Sequence, residues 1–285
     1  LMKKSPLNNV HNYRITVSEF DNIYNMIKVL DLDKKKRIKG ISGERADILP
    51  SALAAISAFV KYVGFEQIAI SGCGLREGIM FNYAVPTTVE KPISDVLNYS
   101  LQTLVRFYNC NPKHVEHVVG LSVQLFKQLR VLHKFPRQYL KILKVVATLH
   151  DAGAAIKYYD YEKHTAYIIQ NANIYGLTSR EMVMASFVAA VHKNDEFQMS
   201  EIARYKEFVT EDDVDAIRKL GIMLRIAESL DRSMSGCVKG LNCDVLGDSV
   251  IMKTEVEGDA SLEIKDALNA ANDFRRIFRK NLEIL

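Results

Sequence analysis

The chain has 285 residues, of which 48% are hydrophobic and 25% charged, and its formal net charge is +4. This length suits about two globular domains with buried cores. The composition excludes a low-complexity chain, and so mild a positive charge does not by itself indicate a nucleic-acid-binding protein.

From the sequence pattern we expect no secretion signal, membrane span or disulfide framework. The longest apolar stretch, residues 48–60, is interrupted by Pro50 and is too short to cross a bilayer. The four cysteines form no CxxC pair, so we expect reduced thiols and a cytoplasmic protein. The chain opens on Leu1, which leads us to expect that it begins partway through a larger protein.

The first ninety residues alternate helix and strand signals. Ser18 is the expected N-cap of a helix through residue 29, and Pro50 starts a second helix that Gly64 ends. Residues 67–71 read as a short buried strand that runs into a glycine-rich turn, and a helix follows over residues 76–83. The basic run at residues 34–37 is interpreted as a solvated loop, with a polyanion-binding patch as the alternative. This order predicts an α/β layer.

From residue 94 to about residue 231 the pattern predicts helices only. Asn111 followed by Pro112 is a strong helix start. Pro136 starts another helix that ends near residues 151–153. Thr178 and Glu181 form a capping box, and the acidic residues 211–213 suit the first turn of the last long helix. This region is therefore predicted to be an all-helical domain.

The predicted secondary structure changes again beyond Gly236. Residues 238–244 and 250–256 resemble strands separated by a turn. A third strand is expected over residues 261–264, and a helix over residues 266–280. This part is predicted to be a small α/β domain.

The pair His150-Asp151 is the first feature that points to chemistry. It ends an apolar helix, where both side chains can leave the core and converge on one ion. Neutral imidazole and carboxylate together suit Zn, Mn, Fe or Mg, and such an ion activates water or neutralises a phosphoryl oxygen. The alternative is that these side chains cap helices or form ion pairs in a bundle without a metal.

The other histidines extend this pair into a pattern. His114 follows the helix start at Asn111-Pro112, and His117, one turn later, is its rival as first ligand. The order of histidine, His-Asp and a distant aspartate resembles the HD superfamily, and two further histidines resemble those present when an HD site holds two metals. The resemblance implies a ligand set with Asp151 as the candidate catalytic residue: His114, His150, Asp151, His164, His192 and Asp231. His11 and His133 have no place in the pattern and are expected at the surface.

Two longer strings resemble motifs of the Ppx/GppA family of exopolyphosphatases and guanosine pentaphosphate phosphohydrolases. They are Gly-Glu-Arg-Ala-Asp-Ile-Leu-Pro at 43–50 and Ser-Gly-Cys-Gly-Leu-Arg-Glu-Gly at 71–78. Further family-like pieces follow in order at residues 125–129, 164–169 and 191–193. The resemblance implies a mainly α chain: a remnant of the second actin-like ASKHA lobe (1–90), a helical HD-type domain (91–235) and a small α/β C-terminal domain (236–285).

The resemblance also implies an activity for the parent protein. The parent hydrolyses terminal phosphoanhydrides of polyphosphate or guanosine pentaphosphate, while this chain lacks the phosphate-binding loops of the main catalytic lobe. Arg45, Arg76 and Glu77 are either a structural ion-pair set or part of the cleft rim that meets an anionic substrate, a role for which Lys193 is a further candidate.

Two alternatives stay open at this point. In the first, the HD domain is itself a metal-dependent phosphohydrolase acting on nucleotides. In the second, it is a non-catalytic module that binds polyphosphate or guanosine penta- or tetraphosphate, or mediates dimerisation. A divalent metal, a phosphate-rich anion and a homodimer are the expected partners, and no membrane or specific nucleic acid is expected.

Overall fold

A computed structural model describes residues 10–85, 93–194 and 202–285. The chain divides between residues 88 and 89 into two compact units. Helices dominate both units, which confirms the predicted mainly α fold class. No helix in the described ranges is long and apolar enough to cross a membrane.

The first unit is a small α/β layer, as predicted. Its two strands pair antiparallel, with Arg14 opposite Ala69. Gly64 ends the third helix in the left-handed conformation, at a φ of 80°. The elements in chain order are β1 (Arg14–Thr16), α1 (Val17–Lys28), α2 (Leu32–Arg37), a 3-10 turn (Gly43–Arg45), α3 (Leu49–Val63), β2 (Gln67–Ala69) and α4 (Leu75–Ala84).

Two local expectations for this unit are wrong. The N-cap of α1 is Thr16 and not Ser18, because Glu19 closes a capping box by accepting from the Thr16 amide at 2.8 Å. The basic run lies on the short helix α2 and not in a loop. Asp31 starts this helix by accepting from the Lys34 amide at 2.8 Å, and α2 buries none of its side chains.

The second unit begins as a helical bundle, as predicted. Its helices are α5 (Val96–Phe107), α6 (Pro112–Gln128), α7 (Arg130–His133), α8 (Gln138–Leu149), α9 (Tyr161–Asn171), α10 (Ser179–Val191) and α11 (Glu211–Ser229). Helix α10 is buried over nearly its whole length and contacts α8, α9 and α11, so it is the central helix of the bundle. Leucines and isoleucines from α6, α8 and α11 complete the core.

A three-stranded sheet follows the bundle. Strands β3 (Val238–Leu246) and β4 (Ser249–Val256) pair antiparallel, and β5 (Asn281–Ile284) pairs parallel with β4. Two short helices, α12 (Ser261–Leu268) and α13 (Ala271–Phe278), connect β4 to β5.

Two expectations for this C-terminal part need correction. Residues 261–264 form the start of α12 and not a strand. Glu263 is buried and accepts from the Ser233 amide at 3.1 Å, while Leu262 is exposed. The apolar residues of this run therefore do not mark its buried face. The helix predicted over residues 266–280 is broken into two, and the third strand is β5.

The sheet is joined to the bundle through the side chains of α6. Gln124 accepts from the Leu241 amide at 2.9 Å, and Gln128 donates to Asn242 at 2.9 Å. These two glutamines are four residues apart and lie on one helix face, so they cover the edge of β3 that the other strands leave unpaired.

A buried carboxylate at the start of α11 gives a pH-dependent prediction. Asp213 accepts from the Thr210 amide at 3.0 Å, from the Tyr139 hydroxyl at 3.0 Å and from Arg180. Burial would raise the pKa of Asp213, but these bonds outweigh it and hold the pKa below its usual range. The resulting stability is present above the ordinary aspartate pKa of about 3.9 and is lost as pH falls through the depressed folded-state pKa.

We therefore expect Asp213→Asn to lower the free energy of unfolding at pH 7 and to cost progressively less between about pH 5 and pH 2. Urea unfolding of both proteins across this range measures the difference. A cost that stays constant with pH would show that the charge of Asp213 has no role.

Candidate metal centre

Two helix ends bring together three side chains of the types that can bind a metal ion. Asn111 caps α6 by accepting from the Lys113 amide at 3.1 Å, which places His114 in the first turn. His150 is the C-cap of α8, and Asp151 follows it. Ligand atoms of His114, His150 and Asp151 all lie within 4.8 Å of one another. We call these three residues the triad.

The hydrogen bonds of the two histidines fix their tautomers. His150 is fully buried, and its Nδ1 donates to the Ala147 carbonyl at 2.8 Å. His114 is 3% exposed, and its Nδ1 donates to Asp231 Oδ2 at 2.7 Å. Because Nδ1 carries the proton in both rings, each Nε2 presents a lone pair. In their neutral forms, the two rings would therefore offer two imidazole ligands through Nε2.

The distances within the triad suit a single ion. The two Nε2 atoms are 3.1 Å apart, and Asp151 Oδ2 is 3.5 Å from each of them. Two ligand atoms bound at about 2.1 Å to one ion lie about 3.0 to 3.4 Å apart in octahedral or tetrahedral geometry. Burial lowers the pKa of His150 and outweighs the nearby carboxylates of Asp151 and Glu228, which favours the neutral, metal-binding form.

The turn at Gly153 orients the side chains of His150 and Asp151. A Cβ on Gly153 would lie 2.0 Å from the Tyr161 carbonyl oxygen, so only glycine fits against α9 here. Thr165 Oγ1 accepts from the Gly153 amide at 2.9 Å and donates to the His150 carbonyl at 2.8 Å. The turn after α8 is therefore fixed to α9.

Asp231, at the end of α11, lies behind His114. Its Oδ2 accepts from His114, and its Oδ1 accepts from the Gly236 amide at 2.9 Å and lies 3.0 Å from His117 Nδ1. Burial would raise the pKa of Asp231, but the contacts with the two histidines outweigh it and hold the pKa well below its usual range. The neighbouring carboxylate of Asp231 raises the pKa of His117.

A second buried cluster adjoins the triad. His192 Nδ1 donates to the Ala189 carbonyl, and its Nε2 lies 3.3 Å from Glu228 Oε2. Glu228 also accepts from the Tyr161 hydroxyl at 2.7 Å and from Lys193. A cavity of about 640 Å³ is lined by residues of both clusters, among them His114, Asp151, Tyr161, Glu228 and Arg232.

Two family models match the chain, one over each of its two units. Residues 96–274 match the model of Ppx/GppA phosphatase, domain III, and residues 2–85 match the Ppx/GppA phosphatase family model. The chain belongs to the Ppx/GppA phosphatase family. The resemblance carried by the two motifs at residues 43–50 and 71–78 is thereby confirmed.

Curated relatives support the same assignment. Proteins named guanosine-5'-triphosphate,3'-diphosphate pyrophosphatase are 27% identical over 169 residues in Aeromonas hydrophila subsp. hydrophila and 28% identical over 183 residues in Pseudoalteromonas translucida. The alignments cover 59% and 63% of this chain but 33% and 34% of those proteins. The chain thus spans about a third of the length of the relatives it matches.

Within this Ppx/GppA chain, the six predicted ligands fall into four places. His114, His150 and Asp151 form the triad. Asp231 accepts from Nδ1 of His114, the ring nitrogen that does not face the triad. His192 faces Glu228. His164 is half-buried on α9 and is not part of the group of ligand atoms around the triad. A second ion held by His164 and His192 stays a prediction.

The predicted substrate-binding residues differ in their surroundings. Arg45 and Arg76 are exposed on the first unit. Glu77 closes a capping box at the start of α4 by accepting from the Gly74 amide at 2.8 Å, and backbone N–H bonds lower its pKa. Both interpretations of Arg45, Arg76 and Glu77, as a structural ion-pair set and as part of a substrate-binding rim, stay predictions. Lys193 pairs with Glu228 beside the ring of Tyr161.

The structure corrects the predicted position of one histidine and adds one carboxylate that the sequence does not predict. His133 is buried and not at the surface: its Nε2 donates to the Phe126 carbonyl at 2.7 Å, and its Nδ1 accepts from the Phe135 amide at 2.9 Å. Glu228 has no place in the predicted ligand set, although it lies three residues before Asp231 and has the buried residues Ile226, Ala227 and Leu230 around it in the sequence. A lone glutamate among core residues was the available signal.

Proposed function

We propose that this chain is part of a phosphohydrolase that cleaves terminal phosphoanhydride bonds of guanosine pentaphosphate or polyphosphate. The match of both family models, in order along the chain, carries this proposal, and the names of the relatives favour the nucleotide. Water attacks the terminal phosphorus, and the bond from this phosphorus to the bridging oxygen breaks. The products are inorganic phosphate and the shortened leaving group, which is guanosine tetraphosphate or a polyphosphate one unit shorter. We assign this chemistry to the full-length protein, and its catalytic lobe to the part of the relatives that the chain does not span.

Phosphate release tests this function. We expect the full-length protein that carries this chain, supplied with Mg²⁺, to release phosphate from guanosine pentaphosphate, from polyphosphate or from both. The 285-residue chain alone is expected to release none. No release from either substrate by the full-length protein would overturn the proposal, while release by the chain alone would favour the helical unit as an independent phosphohydrolase.

We further infer that the helical bundle of the second unit holds a divalent cation at the triad. The support is the pair of Nε2 atoms that face each other at 3.1 Å beside a carboxylate oxygen. Without a cation or an added proton, this arrangement places like partial charges together in a buried site. Two imidazoles and one carboxylate suit Zn, Mn or Fe better than Mg.

The cation would give this cavity Lewis acidity and charge for a phosphoryl oxygen or a bound water. Among the three ligands, the side chain of Asp151 is 23% exposed while those of both histidines are buried. Asp151 is therefore the ligand nearest to solvent, which supports its candidacy as the catalytic residue. Metal content per chain, measured by mass spectrometry after loading with Mn²⁺ or Zn²⁺, tests the inference: about one ion is expected, and a value near zero would reject it.

A further inference from the structure

The carboxylate of Asp231 has both oxygens occupied. Oδ2 accepts from His114 Nδ1 at 2.7 Å, and Oδ1 accepts from the Gly236 amide at 2.9 Å. Nδ1 and Nε2 lie on different sides of an imidazole ring. An ion bound at His114 Nε2, with His150 and Asp151, is therefore separated from Asp231 by the ring of His114.

His117 holds Asp231 from the other side. Its Nε2 donates to the Val238 carbonyl on β3 at 2.6 Å, and its Nδ1 lies 3.0 Å from Asp231 Oδ1. His117 follows His114 by one turn of α6, so both rings reach the same carboxylate. A continuous set of contacts thus joins the backbone of β3 to the metal-facing nitrogen of His114.

We propose that Asp231, held by His117 and Gly236, is a positioning residue that fixes the Nδ1-protonated tautomer of His114, and that it is not a metal ligand. This inference rests on the proposed metal site, and it differs from the sequence pattern, which places Asp231 among the ligands. A carboxylate that accepts from the far nitrogen of a metal-binding histidine orients the ring and raises its basicity. Asp231 is 1% exposed and has the position and the bonds for this role.

Asp231→Asn gives a sharp test because the amide has only one orientation that satisfies its neighbours. The Gly236 amide donates to Oδ1, so the amide oxygen of asparagine stays there and its NH₂ group faces His114. His114 Nδ1 must then accept, which moves the ring proton to Nε2, the atom proposed to bind the ion. Asp248→Asn, at a carboxylate that is 98% exposed, is the matched control.

The first readout uses metal-free protein. Nitrogen-15 NMR of the histidine rings is expected to show the Nδ1–H tautomer at His114 in the wild type and in Asp248→Asn, and the Nε2–H tautomer in Asp231→Asn. An Nε2–H tautomer in the wild type would overturn the positioning role. This readout does not depend on metal binding, so it decides the role of Asp231 even if the triad binds no ion.

The second readout uses Co²⁺ as a probe of the ligand set. We expect Asp231→Asn to weaken Co²⁺ binding by about 10- to 100-fold and, at saturation, to leave the visible absorption bands unchanged. Asp151→Asn, which alters a proposed ligand, is expected to change those bands. A band change in Asp231→Asn like that in Asp151→Asn would show that Asp231 is a ligand. Circular dichroism confirms that each variant is folded, and His117→Gln provides a second, milder variant with the same expected direction.

Discussion

Replacing His150 with alanine is expected to abolish binding of a divalent cation by the helical unit. His150 is fully buried, and its Nε2 lies 3.1 Å from the matching nitrogen of His114. Its loss removes one of the three ligand atoms, and no other residue of the described chain belongs to this group. The loss in affinity should exceed the roughly 10- to 100-fold effect of removing a hydrogen-bonding neighbour of a ligand. Isothermal titration with Mn²⁺ or Zn²⁺ measures it.

His164→Ala is the matched control for this experiment. His164 is half-buried on α9 and lies outside the triad. We expect one ion to remain bound at the triad in this variant. Unchanged metal binding in His150→Ala would contradict the proposed site.

The second large effect is expected for Gly153→Ala. The added Cβ would lie 2.0 Å from the Tyr161 carbonyl oxygen and 2.5 Å from the Thr165 amide nitrogen, both of them backbone atoms. The turn after α8 must move, and we expect the free energy of unfolding to fall by about 3 kcal/mol or more. The same movement displaces His150 and Asp151, so metal affinity should fall as well.

Gly120→Ala shows whether this effect is specific to the site. Gly120 lies within α6, and a Cβ there meets nothing within 4 Å. Alanine at such a helical position is expected to raise stability by about 0.4 to 1 kcal/mol. Urea unfolding compares the two variants, and a Gly153→Ala protein as stable as the wild type would show that the contact of this turn with α9 is not close-packed.

Local signals in the sequence were sufficient for most of the helices. The capping box of Thr178 and Glu181, the proline after Asn111 and the glycine that ends α3 each act within a few residues of the element they bound. The strand predicted over residues 261–264 is wrong because local signals are not sufficient there. A four-residue run is too short for periodicity to separate strand from helix, and the partner of Glu263 is 30 residues away in sequence.

Some residues of the candidate site could be predicted from the sequence, and others could not. His150-Asp151 and His114 could be selected from residue type and from their position at helix ends. The roles of Asp231 and Glu228 could not, because each depends on which ring nitrogen faces the carboxylate after the helices pack. The burial of His133 was hidden for a similar reason, since its two bonds are to backbone atoms of Phe126 and Phe135.

Anomalous diffraction from crystals grown with Zn²⁺ or Mn²⁺ tests the central claim most directly. The predicted result is one strong peak about 2.0 to 2.2 Å from His114 Nε2, His150 Nε2 and Asp151 Oδ2, with Asp231 outside the coordination shell. Metal-loaded crystals without a peak at the triad, or with a peak only beside His192 and Glu228, would contradict it.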